Sequence, residues 1–290
     1  MSAALAAGQE GPLAMLCGGG TLPLAVAEKV VAGGRSVLLF PLRGAAEGTA
    51  VERFPHHWVH IGQIGKFLRL ARAAGCHEVV FIGSLVRPSL WQVHMDLKGL
   101  RVLPRALAAY RGGDNHLLTS MGKVLEDEGF RLRGAHEVAP DILMPEGPLG
   151  HARASQRDNA DIALGLDYVH TAGRFDIGQA VVVAGLHVLA VEAAEGTDAM
   201  LARVAEMRTN GRVRAARGTG VLVKAPKPAQ DHRFDLPSIG PRTIEGAARA
   251  GLAGIAVAAR STIIAEAEQL VQAADRAGIF VVGVSSGTEQ

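Results

Sequence analysis

Leu13-Ala14-Met15-Leu16-Cys17-Gly18-Gly19-Gly20-Thr21-Leu22-Pro23 sets five apolar residues directly before three glycines and a helical pattern. A buried strand, a tight glycine turn and a helix over 22–32 open a layered α/β chain. Gly33-Gly34 ends that helix, and Ser36 to Pro41 reads as a second strand. Further on, the pattern predicts a helix over 65–74, a strand over 78–83, and helices over 103–110 and 116–128. Strands spaced by helices give a parallel sheet with crossover connections.

The texture changes at Ala139-Pro140-Asp141-Ile142-Leu143-Met144-Pro145-Glu146-Gly147-Pro148-Leu149-Gly150, rich in proline and glycine. The expected organisation is α/β throughout: an N-terminal Rossmann-like parallel-sheet domain over 11–138, a linker over 139–157, and a second α/β domain with a mixed sheet over 158–287. In the second domain a helix is expected over 158–171. A hairpin follows, 180–183 and 188–191, turning at Ala184-Gly185. The rest reads as a helix from 196–198 to about 207, a strand over 220–224, a helix over 242–250, a strand over 254–257, a helix over 265–277 and a strand over 279–284.

Bulk properties narrow the function classes. The chain has 290 residues, 48% hydrophobic and 20% charged, enough for two domains with substantial cores. Its net charge of +2 and lack of a basic, aromatic-laced run argue against nucleic acid. Weak attraction to an anionic membrane surface stays open. Two cysteines, Cys17 and Cys76, sit beside apolar runs and read as buried free thiols in a reducing compartment. The N-terminus lacks a basic signal-peptide start, and no stretch offers the roughly 20 apolar residues of a spanning helix. A cytoplasmic protein is expected.

Four constellations could carry chemistry. Gly18-Gly19-Gly20, between strand and helix, is either a phosphate cradle or a turn shaped by packing alone. It is not a nicotinamide fingerprint, because Pro23 stands where Gly-x-Gly-x-x-Gly needs its third glycine, and no acid follows the second strand. Ser84, Leu85 and Arg87 follow the third strand and would line the same crevice; Arg87 is equally readable as a phosphate fork or a surface residue. Glu192, Glu195 and Asp198 meet at a strand-to-helix junction, either as caps or, with Asp231 and Asp235, as oxygen ligands for Mg²⁺. The stretch from Val223 to Pro237 mixes both charge signs between stiffening prolines, which suits holding a phosphate or, more plainly, lying in water. His56, His57 and His60 have no metal spacing and read as loop residues.

Taken in order, Gly18-Gly19-Gly20-Thr21-Leu22-Pro23, Gly113-Asp114-Asn115-His116-Leu117-Leu118, Glu128-Gly129-Phe130, Asp176-Ile177-Gly178-Gln179, the stretch Ala190 to Asp198 and Lys224-Ala225-Pro226-Lys227-Pro228-Ala229-Gln230-Asp231 resemble the LpxI-type UDP-2,3-diacylglucosamine pyrophosphatases. Each motif is weak, whereas their order and spacing over 13–284 are specific. The resemblance implies Mg²⁺-dependent hydrolysis of UDP-2,3-diacylglucosamine to UMP and 2,3-diacylglucosamine 1-phosphate, a step of lipid A synthesis. It implies a lipid-linked UDP-sugar as substrate, a homodimer, and a position peripheral to the inner membrane. Catalysis would then fall to Asp231, Lys224 and Gln230. Gly19, Gly20, Thr21, Leu22, Ser84, Leu85, Arg87, Gln179, Lys227 and Arg233 would bind substrate. Asp231, Glu192, Glu195 and Asp235 would supply metal ligands. Asn115, Ala258 and Arg260 depart from the family's pattern and are left out of the site. The alternative is a non-catalytic sugar-nucleotide sensor with the same loops.

Overall fold

The computed structural model describes residues 11–46, 48–84, 94–110, 114–175, 177–227, 231–234 and 236–285. Leu85, Arg87, Gln230 and Asp235 lie outside the described residues. The chain divides into two compact units: Met1–Asp141 with Asp231–Asp235, and Ile142–Gln230 with Leu236–Gln290.

In the first unit the elements run β1 (Leu13–Cys17), α1 (Leu22–Ala32), β2 (Val37–Pro41), α2 (Gly48–Val51), α3 (Ile64–Ala73), β3 (Glu78–Ile82), α4 (Leu97–Tyr110), α5 (Asp114–Asp127), β4 (Arg131–Arg133) and α6 (Ala135–Val138). The sheet is parallel, in the order β2-β1-β3-β4. Strands β1, β2 and β3 are buried nearly end to end, the signature of a sheet covered by crossover helices, while β4 is a part-exposed edge. Ala14, Phe40, Phe67, Val79, Leu125 and Leu132 pack one core, where Phe40 and Phe67 meet edge-on at 4.7 Å.

Helix α4 starts six residues before the expected position. Asp96 is the cause: its carboxylate accepts Gly99 N–H at 2.8 Å, capping α4, and Lys66 N–H at 2.9 Å in the first turn of α3. One side chain thus caps two helices thirty residues apart, a contact that sequence periodicity does not reveal.

At the other end of β3, buried Glu78 accepts from Arg35 at 2.6 Å and from Arg133 at 2.8 Å, tying β3 to the start of β2 and the end of β4. Burial works against its charge, yet the two guanidinium groups win and hold the carboxyl below its ordinary value of 4.5. A depressed carboxyl contributes stability that is complete above about pH 4.5 and is lost as pH falls through the folded-state value. Acid titration of unfolding should therefore lose part of its slope below about pH 4.5 in Glu78→Gln, which should also be less stable at pH 7. An unchanged acid limb would refute this role.

In the second unit follow β5 (Gly147–Leu149), α7 (Gln156–Ala172), β6 (Ala180–Ala184), β7 (His187–Val191), α8 (Gly196–Thr209), β8 (Val221–Lys224), β9 (Ser238–Ile239), α9 (Pro241–Arg249), β10 (Gly254–Ala258), β11 (Ile263–Ile264), α10 (Ala267–Ala277) and β12 (Phe280–Val284). The main sheet has the order β5-β12-β10-β8-β6-β7, with β8, β10 and β12 parallel and β5, β6 and β7 joined antiparallel. The expected mixed sheet is therefore present. Its strands alternate cleanly: Val182, Leu222, Ile255 and Val281 face α8, α9 and α10, while Val181, Val223, Ala256 and Phe280 face α7.

Ser155 opens α7 with a reciprocal capping box to Asp158. The hairpin turns at Gly185-Leu186, one residue later than expected, with φ of 61° and 62°. A left-handed leucine is costly. Buried Asp161 offsets this by accepting Gly185 N–H at 2.9 Å and Leu186 N–H at 2.6 Å. Among the described residues no helix is long and apolar enough to cross a membrane.

Candidate active site

In the first unit β1 leads outward through α1 to β2, and the chain then crosses to β3 on the other side of β1. Such a reversal opens a crevice at the carboxyl ends of the central strands, where ligands of open α/β sheets collect. Gly18–Gly20 and Gly83-Ser84 stand there. Gly19 and Ser84 exchange backbone hydrogen bonds at 2.8 and 2.9 Å, closing one loop onto the other. A Cβ on Gly18 would stand 2.4 Å from Ser84 O, and one on Gly19 would stand 2.8 Å from Ala45 O. Both glycines are thus required by backbone packing. Gly20, with φ of 89° and open space where a Cβ would be, leaves room before Thr21, Leu22 and the N–H groups of α1. Gly19, Gly20, Thr21, Leu22 and Ser84 lie together at this end of the sheet.

Sequence reasoning missed what stands on the neighbouring strand end. Arg43 follows β2, on the loop whose Ala45 abuts Gly19, and its guanidinium lies 5.4 Å from the Trp58 ring. Lys66 Nζ donates to Trp58 O at 2.8 Å, and the His60 and His94 rings stand 4.2 Å apart. Desolvation, then His94, Arg43 and Lys66, hold His60 below its usual value. His60, read as a plain loop residue, stands beside the cations Arg43 and Lys66, which disfavour its own protonation and themselves suit an anion. The only sequence trace was a tryptophan among basic residues dispersed over 43–94.

The second unit builds a different array. Lys224 ends β8 and is only 5% exposed; its Nζ donates to Thr197 Oγ1 at 2.9 Å and to Ser238 O at 3.1 Å. Thr197, in the first turn of α8, donates to Glu192 Oε1 at 2.7 Å. The other oxygen of Glu192 accepts Gln179 N–H at 3.0 Å. Gln179, Glu192 and Lys224 therefore meet, joined by a threonine that the sequence reading did not single out. Gly178 permits the approach, since a Cβ there would stand 2.6 Å from Glu192 Cγ. Glu195 turns elsewhere and pairs with Arg203 at 2.6 Å, while Asp198 pairs with Arg242 at 2.8 Å. Lys227 follows half-buried beyond Ala225.

Asp231 does not belong with Lys224's unit, although only seven residues separate them; it is part of the first. Phe234 anchors the turn, packing on the core of that unit with its ring 5.5 Å from Phe81. Gly122 on α5 makes room for it, because a Cβ there would stand 2.4 Å from Phe234 Cζ. Arg233 grips the Asp231 carboxylate in a fork, Nε to Oδ1 at 3.0 Å and Nη2 to Oδ2 at 2.8 Å, and reaches Glu126 at 2.9 Å. That fork, against the desolvation of a half-buried group, keeps the Asp231 carboxyl below its usual range. It is a fixed, ionised oxygen donor.

The fit of these acids to Mg²⁺ is uneven. Among the described residues no three of His, Cys, Asp or Glu gather into a metal-holding group. Both oxygens of Glu192 are engaged inside the second unit, and Glu195 is paired on its surface. Asp231 also has both oxygens held by Arg233, so it fits only through its remaining lone pairs, as one carboxylate for a cation whose other ligands are phosphate oxygens and water.

Two comparisons with known proteins bear on this arrangement. Residues 12–142 match the LpxI N-terminal domain and residues 145–282 the LpxI C-terminal domain. A protein of Caulobacter vibrioides, named UDP-2,3-diacylglucosamine pyrophosphatase LpxI, is 45% identical over 272 residues, covering 94% of this chain and 97% of its own. With both domains matched in order and the likeness spanning nearly its full length, this chain belongs to the LpxI family.

Proposed function

We propose that the protein hydrolyses the pyrophosphate of UDP-2,3-diacylglucosamine. Water adds to one phosphorus and the P–O–P bridge breaks, giving UMP and 2,3-diacylglucosamine 1-phosphate. The observation that carries this reading is the end-to-end likeness to a relative named for that activity, with the Lys224–Asp231 motif in place.

Cleaving a diphosphate asks mainly for positioning and charge neutralisation, not a covalent nucleophile. The crevice at Gly19, Gly20, Thr21, Leu22 and Ser84 would seat one part of the sugar nucleotide, with Arg43 and Lys66 beside it for negative charge and the His60 imidazole as a hydrogen-bonding neighbour. Lys224 and Lys227 would neutralise phosphate charge, with Gln179 near them, and Gln230 and Arg233 would complete the motif. Asp231 would orient the attacking water and would be the carboxylate that holds Mg²⁺. When bound, that ion would neutralise charge developing on the phosphate oxygens. Arg233 fixes the rotamer of Asp231, so the carboxylate needs no reorganisation during turnover. A homodimer working at the inner-membrane surface completes the proposal.

The test is UMP release from UDP-2,3-diacylglucosamine by the purified chain, with Mg²⁺ and with chelator. Release that needs the metal is expected. Saturable substrate binding without UMP would instead identify a sugar-nucleotide sensor.

A further inference from the structure

A single exposed leucine is ordinary, whereas a stripe of them on one helix marks an interaction face. On α4, Leu97 is 80% exposed, Leu100 57% and Leu107 40%, and Met95 just before the helix is 37% exposed. These four are half of the exposed large hydrophobics among the described residues. Leu97, Leu100, Pro104 and Leu107, at i, i+3, i+7 and i+10, lie along one side of the helix, and Pro104 is exposed with them. Arg101 and Arg105, both exposed, flank that stripe at i+4 and i+8.

Charge narrows the occupant. Residues 84–113 carry five Lys/Arg and one acid, in a chain whose net charge is only +2. That acid is Asp96, whose oxygens are engaged in capping α3 and α4. Helix α4 itself has no acidic residue. Its Arg105 touches Asp127 at 3.2 Å, with both side chains about two-thirds exposed, and Arg101 has no ion pair among the described residues. An apolar stripe with cations along its flank is the pattern of a helix lying in a membrane interface, leucines among acyl chains and arginines at anionic head groups.

We propose that α4 seats the first unit on an anionic phospholipid surface. The helix follows β3, whose end lines the candidate crevice, so the surface on which a lipid-linked substrate resides would meet the same unit that holds its nucleotide. This deepens the proposed reaction and rests on it for the reason a lipid surface is needed.

The test is co-sedimentation of the full chain with vesicles of phosphatidylglycerol and phosphatidylethanolamine, and with phosphatidylcholine vesicles, at low and high salt. Binding to the anionic vesicles that weakens with salt is expected. The double variant Leu100→Glu/Leu107→Glu should bind on the order of tenfold more weakly. Both leucines are exposed, so its melting temperature should not move. Equal vesicle binding by the two proteins, or none by the parent, would overturn the proposal. So would a change from dimer to monomer in the variant with vesicle binding unaltered, which would assign the stripe to a second copy of the chain. UMP release from detergent-dispersed substrate, measured alongside, keeps the two readings apart: a parent that binds vesicles without turnover defeats the reaction and not the surface.

Discussion

Asp231→Asn should lower kcat by a factor of about 10³ or more while leaving KM within a few-fold, equivalent to removing roughly 4 kcal/mol of transition-state stabilisation. The amide keeps the size and half the hydrogen-bonding of the carboxylate and removes its charge. Arg233 retains its contact with Glu126, and Phe234 remains seated against Phe81 and Gly122. The turn should therefore stay docked, and the melting temperature of the first unit should hardly change. That separation of turnover from stability is the informative part. A loss of both would mean that Asp231 serves the turn and not the reaction. Unchanged turnover would remove Asp231 from the mechanism altogether. Arg233→Ala supplies the matching control, because a residue that acts through Asp231 should lower kcat less than Asp231→Asn does and should shift the acid limb of the pH–rate profile upward, as the carboxyl loses the fork that holds it ionised.

Much of the fold was legible because its signals are local. Strands β1, β2, β3, β8, β10 and β12 are short apolar runs bounded by glycine or proline, and the register follows once parallel crossovers are assumed. What escaped were short elements that exist only by pairing. Arg131–Arg133 carries two arginines and becomes a strand because β3 lies beside it, with Arg133 neutralised by Glu78. Gly147–Leu149, within a stretch whose prolines and glycines suggest a linker, forms the edge strand against β12. The site divides in the same way. The glycine turn and Ser84 were readable from their places at strand ends. That Asp231 joins the first unit while Lys224 stays in the second was not, because it depends on Phe234 finding a hole over Gly122, more than a hundred residues away. Asp161 beneath Leu186 and Asp96 between two helices are of the same kind: polar groups that complete backbone geometry set up elsewhere in the chain.

Lys224→Met is expected to destabilise the second unit by about 3–5 kcal/mol, the usual cost of leaving a buried charge without its counterpart. Lys224 and Glu192 are both under 10% exposed and are joined through the Thr197 hydroxyl, so neither can turn to water when the other is removed. Methionine fills the volume of the lysine stem, which confines the effect to charge and hydrogen bonding. For a unit of this size the loss should appear as a fall of roughly 10–20 °C in melting temperature. Neutralising the other end should then restore stability. Lys224→Met with Glu192→Gln leaves a polar amide that can still accept from Gln179 N–H or Thr197, so the double variant should melt well above Lys224→Met alone, a coupling that a thermodynamic cycle measures. Turnover should not return with stability, since the proposed reaction also needs the ammonium against phosphate. If Lys224→Met kept its melting temperature and lost only turnover, the Lys224–Thr197–Glu192 array would not be a structural relay, and the lysine would act on substrate alone.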